Sequence, residues 1–404
     1  MKINNNHISY CTNIHSGQSW EDHFEQLKKY VPAIKNNVSP TEPFGLGLRL
    51  SADASKKLAD PENLHVFKTW LKENNVYVFT MNGFPYGDFH ENTVKDKVHY
   101  PDWTTTDRRD YTKRLFSILT ELTPEKGEAG ISTVPLSYRF WLEEGTEEWK
   151  AMRKKATQHI LEIAYFLHVK EQETGKLLHL DIEPEPDGVI ETGEEFINWY
   201  QQELIPQAIR FLTKEYGLSE SVATSVVHRH IRICYDVCHV ALGYENHEQL
   251  IAKLEEAEIL IGKFQISSAL KIDLTSSLDD RLRKKEVLQE FDEPIYLHQV
   301  IGKKKDGQLI RYKDLPEALP HIVDMEQEEW RSHFHVPIFL SSYGDLSSTQ
   351  QDILDVLRLH QKESRTNHIE VETYTWGVLP KSLQMPIEDS LSRELIWLLN
   401  QLKN

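Results

Sequence analysis

The residues best suited to chemistry are an acid and an imidazole that stand three positions apart at the end of a strand-like run. The run 231–236 is rich in β-branched and aromatic residues, which predicts a strand, and it ends in Asp236 with His239 soon after. Because a buried strand offers no water to a carboxylate, we expect Asp236 to lie at the exit of the strand or to be paired there. An aspartate and a histidine that converge on one point are typical ligands of a divalent cation, or they form a hydrogen-bonded pair.

Other strand-like runs also end in residues of the ligand type. A buried run at 177–182 leads into Glu183, and the last predicted strand, 368–376, carries Glu372. One strand cannot surround a cation, so donors from several strands must converge on it. Histidines from an irregular region farther along the chain can add nitrogen ligands. The predicted metal ligands are Glu183, Asp236, His239, Gln265, His298, His335 and Glu372.

Each predicted ligand also has an ordinary structural interpretation. Glu183 precedes a proline and can be a solvated carboxylate at the rim of the fold. Asp236 can pair with Arg232, and His239 can cap the helix that follows. Gln265 belongs to a residue type that forms hydrogen bonds more often than it binds metal. A site is favoured because several strands end in this way, since no single motif is specific.

A pocket for a small molecule is expected beside these acids. Aromatic residues near the strand ends can wall such a pocket, although each of them alone is more typical of ordinary core. The predicted substrate-binding residues are Asn82, Tyr86, His333, Tyr374 and Trp376.

The elements that must position these residues alternate between strands and helices. Roughly eight or nine such units follow one another, which favours a parallel sheet covered by helices. An open doubly wound sheet usually carries a glycine-rich phosphate turn after its first strand, and the sequence has none. We therefore predict an α/β fold, a closed (β/α)8 TIM barrel in one domain, 1–404, with a β-containing insertion near 271–340. Inside the insertion, 295–300 and 333–340 are predicted to be strands.

The composition limits the partners and the compartment. The chain has 404 residues with 46 basic and 63 acidic side chains, a net charge of −17, and this acidity argues against nucleic acid as a partner. Its three cysteines, Cys11, Cys234 and Cys238, give neither a disulfide frame nor a zinc knuckle, and free thiols fit a reducing compartment. The sequence begins without an apolar leader and has no run of about 20 apolar residues, so we expect a cytoplasmic protein.

As a set, these motifs resemble a known family. The element 235–239 resembles the D-x-x-H element of the xylose isomerase-like TIM barrels, a superfamily that includes sugar epimerases and enzymes of the endonuclease IV type. Over nearly the whole chain, five segments together resemble the EboE-type metabolite traffic proteins. These segments are NGFPYG at 82–87, EPEP at 183–186, YDVCH at 235–239, HFHVP at 333–337 and ETYTWGVLP at 372–380.

The resemblance implies a xylose isomerase-like barrel that processes or moves a small-molecule metabolite. It also implies a partner, since such proteins share an operon with a prenyltransferase-like membrane protein. Glu183, Asp236 and Glu372 fall where sugar epimerases place metal-binding carboxylates, whereas Gln265 falls where those enzymes usually have a histidine. That departure favours an oxygen-bound ion such as Mn²⁺ or Mg²⁺, with Zn²⁺ as an alternative, and leaves His335 or His298 to supply nitrogen.

Three functional hypotheses follow. In an isomerase or epimerase, a divalent metal would chelate a carbonyl and the adjacent hydroxyl of a sugar or polyol, while Glu183 and Glu372 remove and return a proton. In a metal-dependent phosphoesterase, as in the endonuclease branch, a cluster of histidine ligands would be needed. In the third hypothesis, the barrel binds a metabolite without catalysis and passes it to a membrane partner.

Overall fold

A computed structural model describes residues 1–87, 95–292, 296–373 and 385–403 of the chain. The strands in these residues are β1 (Lys2–Ile3), β2 (Asn6–Tyr10), β3 (Phe44–Arg49), β4 (Val76–Asn82), β5 (Glu128–Thr133), β6 (Leu177–Ile182), β7 (Ile231–Asp236), β8 (Ile261–Ile266), β9 (Leu270–Asp273), β10 (Val300–Lys304), β11 (Leu309–Tyr312), β12 (Gln327–Ser332), β13 (Ser342–Tyr343), β14 (Leu346–Ser348) and β15 (His368–Val371). The α-helices are α1 (Trp20–Val38), α2 (Ala52–Leu58), α3 (Pro61–Glu73), α4 (Thr106–Leu122), α5 (Glu147–Thr174), α6 (Gly193–Trp199), α7 (Ile205–Tyr216), α8 (Glu220–His230), α9 (Val237–Leu242), α10 (His247–Glu256), α11 (Leu278–Gln289), α12 (Leu315–Ala318), α13 (Gln350–Lys362) and α14 (Ile387–Lys403). Short 3-10 helices lie at Thr12–Ile14, Lys95–His99, Arg139–Trp141 and Leu319–Val323, and a π-helical turn, Tyr200–Leu204, joins α6 to α7.

Several helices begin where the sequence supplies a side chain that accepts hydrogen bonds from the first turn. At α6, the hydroxyl of Thr192 accepts from the Glu195 N–H at 3.1 Å, and the Glu195 side chain completes a capping box. At α9, the Asp236 carboxylate accepts from the His239 N–H at 3.0 Å. The last residue of β7 is therefore also the cap of the next helix, which fixes one oxygen of Asp236 at the strand exit.

Eight parallel strands close into a barrel. Their order is β2-β15-β8-β7-β6-β5-β4-β3, and a parallel bridge between Cys11 and Gly47 joins the two ends. The predicted (β/α)8 TIM barrel is therefore confirmed. Because all eight strands run in the same direction, their carboxyl ends meet at one mouth.

A second sheet is inserted between β8 and β15. Its six strands have the order β11-β10-β12-β9-β14-β13 and pair in antiparallel fashion. The strands of this sheet span Leu270 to Ser348, so the predicted β-containing insertion is confirmed. One hydrophobic core cluster includes residues from both the barrel and the insertion.

Two strands predicted inside the insertion are not formed as expected. The segment 333–340 is irregular, because the His333 N–H donates to the Gln299 carbonyl at 2.8 Å and the Val336 N–H donates to the Ser268 carbonyl at 2.9 Å. Those hydrogen bonds take the backbone away from any continuing ladder, and β12 ends before them. Of the other predicted strand, 295–300, only Val300 is in a strand, and residue 295 lies outside the described residues.

The barrel interior contains a buried ion pair. Lys263 Nζ lies 2.6 Å from Glu370 Oε1, both side chains are fully buried, and the Ser9 hydroxyl donates to Glu370 Oε2 at 3.3 Å. A Cβ atom at position 47 would overlap the Glu370 carboxylate, so Gly47 provides the room for it. Glu370 lies two residues before Glu372 on the same stretch of chain, which places this pair one layer below the mouth.

No helix among the described residues is both long and apolar enough to cross a membrane.

Candidate metal centre

Three carboxylates from three barrel strands meet at the mouth. Glu183 follows β6, Asp236 ends β7 and Glu372 follows β15. One oxygen of each lies within 4.8 Å of one oxygen of each of the others, and all three side chains are buried. The parallel barrel explains the meeting, because residues at the ends of neighbouring strands converge at one rim.

Glu372 is held by several donors. Asn13 and Asn82 donate to Oε1 at 2.6 and 3.0 Å, and the Gln265 amide donates to Oε2. His335 Nδ1 lies 3.3 Å from Oε2. Burial alone would raise the pKa of Glu372, but the hydrogen bond and the charge of His335, with further help from Lys263, hold that pKa below its usual value. Glu372 is therefore the carboxylate that stays ionised.

Asp236 and Glu183 each have one oxygen that is hydrogen-bonded to no other described atom. The Ser267 hydroxyl donates to Asp236 Oδ1 at 2.7 Å, and the His239 N–H donates to the same atom. The buried atoms Asp236 Oδ2 and Glu183 Oε2 have no hydrogen-bond partner in the described part of the chain. Buried carboxylate oxygens are costly without a partner, so a cation bound by both fits this geometry.

The electrostatics of Glu183 agree with that geometry. Burial, together with the charges of Glu372 and Asp236, raises the pKa of Glu183 well above its usual value. A further positive charge among these three carboxylates would lower the pKa of Glu183. A divalent ion at this point would restore the ionised form of Glu183.

Two imidazoles stand next to the carboxylates. His239 Nε2 lies 3.1 Å from His333 Nε2. The other nitrogen of each ring faces an oxygen, because His239 Nδ1 is 3.0 Å from the Pro184 carbonyl and His333 Nδ1 is 2.8 Å from the Gln299 amide oxygen. Burial lowers the pKa of both rings, and the neighbouring imidazoles lower that of His333 further.

His335 connects the two halves of the site. A ligand atom of this ring lies within 4.8 Å of ligand atoms of Cys238 and His333, and also of Asp236 and His239. Burial works against the charge on His335, yet its neighbours raise the pKa of the ring well above the usual value. Because burial raises the pKa of Cys238 to about 11, that thiol is neutral at pH 7, and Glu372 and Asp236 provide the negative charge that favours the imidazolium.

A cavity of about 70 Å³ opens above these groups, with room for about five waters. One side of it carries a second polar pair, since Glu185 Oε1 and His99 Nδ1 are 3.5 Å apart and neither atom has a hydrogen-bond partner among the described atoms. Burial, with the charges of Glu372 and Asp236, raises the pKa of Glu185 to about 8. The cavity is lined by Asn13, Phe84, Pro85, Lys95, Val98, His99, Glu183, Glu185, Pro186, His239, Tyr296, Leu297, Gln299, His333, His335 and Glu372.

Several sequence-predicted site residues lie in or against this cavity. Glu183, His239, His333, His335 and Glu372 line it. Asp236 belongs to the carboxylate group described above.

Other predicted site residues have supporting positions. Asn82 and Gln265 donate to Glu372, and a Gln265 amide nitrogen turned towards a carboxylate is a donor, not a metal ligand. His298 stacks on the ring of Phe334 at 3.6 Å, with its Nδ1 3.0 Å from the His333 carbonyl oxygen. These contacts place His298 beside the backbone that carries the imidazoles.

Tyr86 packs against Tyr111, with ring centroids 5.1 Å apart, and does not line the described part of the cavity. The remaining predicted substrate-binding residues, Tyr374 and Trp376, lie outside the described residues.

The site residues that were not predicted from the sequence include Asn13, Ser267, His99 and Gln299. Asn13 and Ser267 lie near the ends of barrel strands and orient two of the acids, and their position after a strand was a usable signal. His99 lies in a short 3-10 helix and Gln299 in the insertion, where no periodicity points to a site.

Known proteins of similar structure have low sequence identity to this chain. No family model and no curated protein matches the chain. The chain is similar to the solved structure of IolI protein with a bound zinc atom, at 11% identity over 98% of each chain and a TM-score of 0.48. It is similar to a xylose isomerase-like TIM barrel protein from Mycobacterium smegmatis in complex with magnesium, at 10% identity over 98% of this chain and 97% of that one, with a TM-score of 0.46. It is also similar to the probable 3-DHS dehydratase AsbF from Bacillus anthracis, at 13% identity over 98% and 99% of the chains and a TM-score of 0.44.

Proposed function

We propose that the protein is a divalent-metal-dependent isomerase or epimerase of a small sugar or polyol. The observation that carries this proposal is the meeting of Glu183, Asp236 and Glu372 at the barrel mouth, with free oxygens on two of them. Carboxylate oxygens are the ligands that Mn²⁺ and Mg²⁺ prefer, and Zn²⁺ also accepts them. The cavity above them has both polar and apolar lining, and its carboxylates and imidazoles suit a substrate with a carbonyl and hydroxyls.

The side chains around the cavity have the roles that proton transfer requires. A bound divalent ion would polarise a carbonyl and so acidify the neighbouring C–H bond. Glu372, which is kept ionised by its donors, would remove a proton at the mouth, and Glu183, another carboxylate of the cavity lining, would return one. We therefore keep for these two acids the roles proposed from the sequence, the removal and the return of the proton.

Hydrogen exchange tests this function directly. The protein is loaded with Mn²⁺, incubated in D₂O with a panel of aldoses, ketoses and polyol-derived ketones, and examined by NMR for deuterium next to the carbonyl. We expect incorporation that falls about 100-fold or more in E183Q and in E372Q, in keeping with the size of general acid–base effects. E148Q, which changes an exposed glutamate of α5, serves as the matched control. Exchange that is unchanged in both mouth variants would disprove the role of these acids.

The narrower family assignment is also a proposal. Five segments, including 183–186 and 235–239, support an EboE-type protein that acts in metabolite processing or traffic. We propose a membrane protein as its partner, and co-purification from detergent extracts of native cells tests this. A barrel that only binds and passes on a metabolite would retain the ligand without exchanging its protons.

A metal-dependent phosphoesterase is the second candidate. It is favoured by one observation, the group of imidazoles formed by His239, His333 and His335. Phosphate release from model esters with added Zn²⁺, lost in H333Q, would support this activity over the first. Proton exchange without phosphate release would support the isomerase.

A further inference from the structure

Part of the cavity lining is apolar. The acids follow the ends of barrel strands, whereas the 3-10 helix Lys95–His99 and the insertion add lining residues of other kinds. The apolar lining residues, which we call the apolar wall, are Phe84, Pro85, Val98, Pro186, Tyr296 and Leu297. Five of these side chains have no hydrogen-bond donor or acceptor, and Tyr296 has a single hydroxyl. The wall can therefore bind a hydrocarbon surface but cannot satisfy a row of hydroxyls.

The wall has side-chain surface that a ligand can cover. Phe84, Val98 and Leu297 line the cavity and are only half-buried. Covering apolar surface strengthens binding by about fourfold for each buried methylene group. A hydroxyl that loses its water without gaining a partner weakens binding instead. A fully hydroxylated sugar would therefore place hydroxyls against a surface that offers them no partner.

The charge of the lining argues against a phosphorylated sugar. Lys95 is the only lysine or arginine among the described residues of the lining, and its Nζ lies 3.0 Å from Asp314 Oδ2. Phosphate sites in proteins usually contain an arginine, a lysine or the N-terminus of a helix. The lysine of this lining is already paired with an acid, so the lining suits an uncharged ligand group.

The surface beside the wall is apolar as well. Trp141 Nε1 donates to Asp96 Oδ2 at 2.9 Å, which holds the Trp141 side chain against the 3-10 helix Lys95–His99 that contains Val98. Phe140 is 51% exposed and Trp141 is 36% exposed. A hydrocarbon group can therefore contact apolar surface both outside and inside the cavity.

We propose that the substrate is a hydroxy ketone or hydroxy aldehyde whose far end is a short hydrocarbon group, and that the apolar wall selects this group. The carbonyl and the adjacent hydroxyl lie at the acids. The hydrocarbon group contacts the wall, and a cavity of this size has room for about three to five of its carbons. The inference rests on the proposed function for the polar end of the substrate and adds the specificity for the other end.

Hydroxamates with different tails test the wall, because the same head group chelates a metal ion in each of them. Calorimetry measures the binding of acetohydroxamate, butanohydroxamate and trihydroxybutanohydroxamate to the Mn²⁺-loaded protein. We expect butanohydroxamate to bind about tenfold more tightly than acetohydroxamate, and the trihydroxy compound to show no such gain. Equal affinities for acetohydroxamate and butanohydroxamate would overturn the inference and leave the metal centre in place. A trihydroxy compound that binds as tightly as butanohydroxamate would overturn it as well.

Two variants locate the preference at the wall. V98T replaces one methyl of the wall by a hydroxyl of similar size, so the gain from the longer tail should fall about fourfold. The gain should fall further in L297N, while acetohydroxamate binds to both variants as to the wild type, which shows that the site is intact. V222T, at an exposed valine of α8, is the matched control and should keep the full gain. An unchanged gain in V98T and L297N would overturn the inference.

Cyclopentanone has no chelating group and tests the wall without a metal ion. Saturation-transfer NMR of the metal-free protein should show contact with its ring protons, and L297N should remove this signal. If hydroxamates fail to bind but this contact is seen, the wall is supported and the metal centre is not. If the tail preference is seen without proton exchange in D₂O, the inference stands and the isomerase does not. If neither hydroxamates nor cyclopentanone bind, the inference is wrong.

Discussion

Two groups of buried charges in the barrel are balanced in different ways. One layer below the mouth, Lys263 and Glu370 form a pair, and Ser9 satisfies the second oxygen of the acid. At the mouth, Glu183, Asp236 and Glu372 meet, and Asp236 Oδ2 and Glu183 Oε2 have no hydrogen-bond partner among the described residues. The lower group is complete within the part of the chain that the structure describes, whereas the upper group leaves these two buried oxygens for a cation.

The two groups differ in what opposes the effect of burial. Burial raises the pKa of Glu370, as it raises that of Glu183, but Lys263 lies 2.6 Å away and counteracts this. Glu370 in turn raises the pKa of Lys263 against the effect of burial, which favours the charged pair. Burial and the neighbouring acids raise the pKa of Glu183 because no full positive charge is paired with it. A buried pair of this kind serves structure, and an unbalanced group that faces a cavity serves binding.

Breaking the interior pair should have the largest effect. K263M leaves the Glu370 carboxylate buried without its cation, so we expect a loss of about 3–5 kcal/mol in the free energy of unfolding. Urea denaturation followed by circular dichroism measures it. The double variant K263M/E370M should recover much of the lost stability. A double variant as unstable as K263M would show that the loss comes from packing and not from an unpaired charge.

A bound metal ion should stabilise the folded protein through the carboxylates of the mouth and not through the interior pair. At a Mn²⁺ concentration 100 times Kd, binding to the folded state adds about 2.7 kcal/mol to the free energy of unfolding. We expect this gain in the wild type and its loss in D236N, because Asp236 supplies a free buried oxygen. Thermal unfolding with and without Mn²⁺ measures it, and an equal gain in D236N would contradict the assignment of this ligand.

The strand-end acids could be predicted because barrel geometry is regular. Once eight parallel strands are expected, a carboxylate directly after a strand must lie at the common rim, as Glu183, Asp236 and Glu372 do. The sequence could not predict which way an amide faces, so Gln265 was expected as a ligand and lies as a donor to Glu372. That orientation is set by the neighbouring strand.

The insertion was less predictable for a physical reason. The segment 333–340 has the apolar pattern of a strand, but its hydrogen-bond partners are Gln299 and Ser268, which are distant in sequence. His99 likewise reaches the cavity from a short 3-10 helix whose position no local pattern encodes. Loops are placed by tertiary contacts, so their contributions to a site are visible only in the fold.

The stability of the metal-free protein should depend on pH through Glu185, which lines the cavity beside the carboxylates of the mouth. The pKa of Glu185 is about 8 in the folded state against an ordinary value of 4.5, so the folded state keeps a proton that the unfolded chain releases. Stability from this group is full below pH 4.5 and is lost as the pH rises to 8, at up to about 1.4 kcal/mol per pH unit.

The variant E185Q removes this pH-dependent contribution to the free energy of unfolding. Its free energy of unfolding, measured by urea denaturation from pH 5 to 8, should fall less steeply with pH than that of the wild type. E148Q, at an exposed position, should follow the wild type. Parallel curves for E185Q and the wild type would mean that the Glu185 carboxyl is not held in its protonated form.

Replacing one serine by alanine beside each group compares the two groups through the loss of a single hydrogen bond. S9A removes one hydrogen bond to Glu370, so we expect a loss of about 1 kcal/mol in stability and no change in metal affinity. S267A removes a hydrogen bond that orients Asp236, so metal affinity should fall about tenfold or more. Denaturation and metal titration of both variants measure the two effects. If S9A weakened metal binding as much as S267A, the two charge groups would act as one network. The interior pair would then contribute to metal binding as well as to stability.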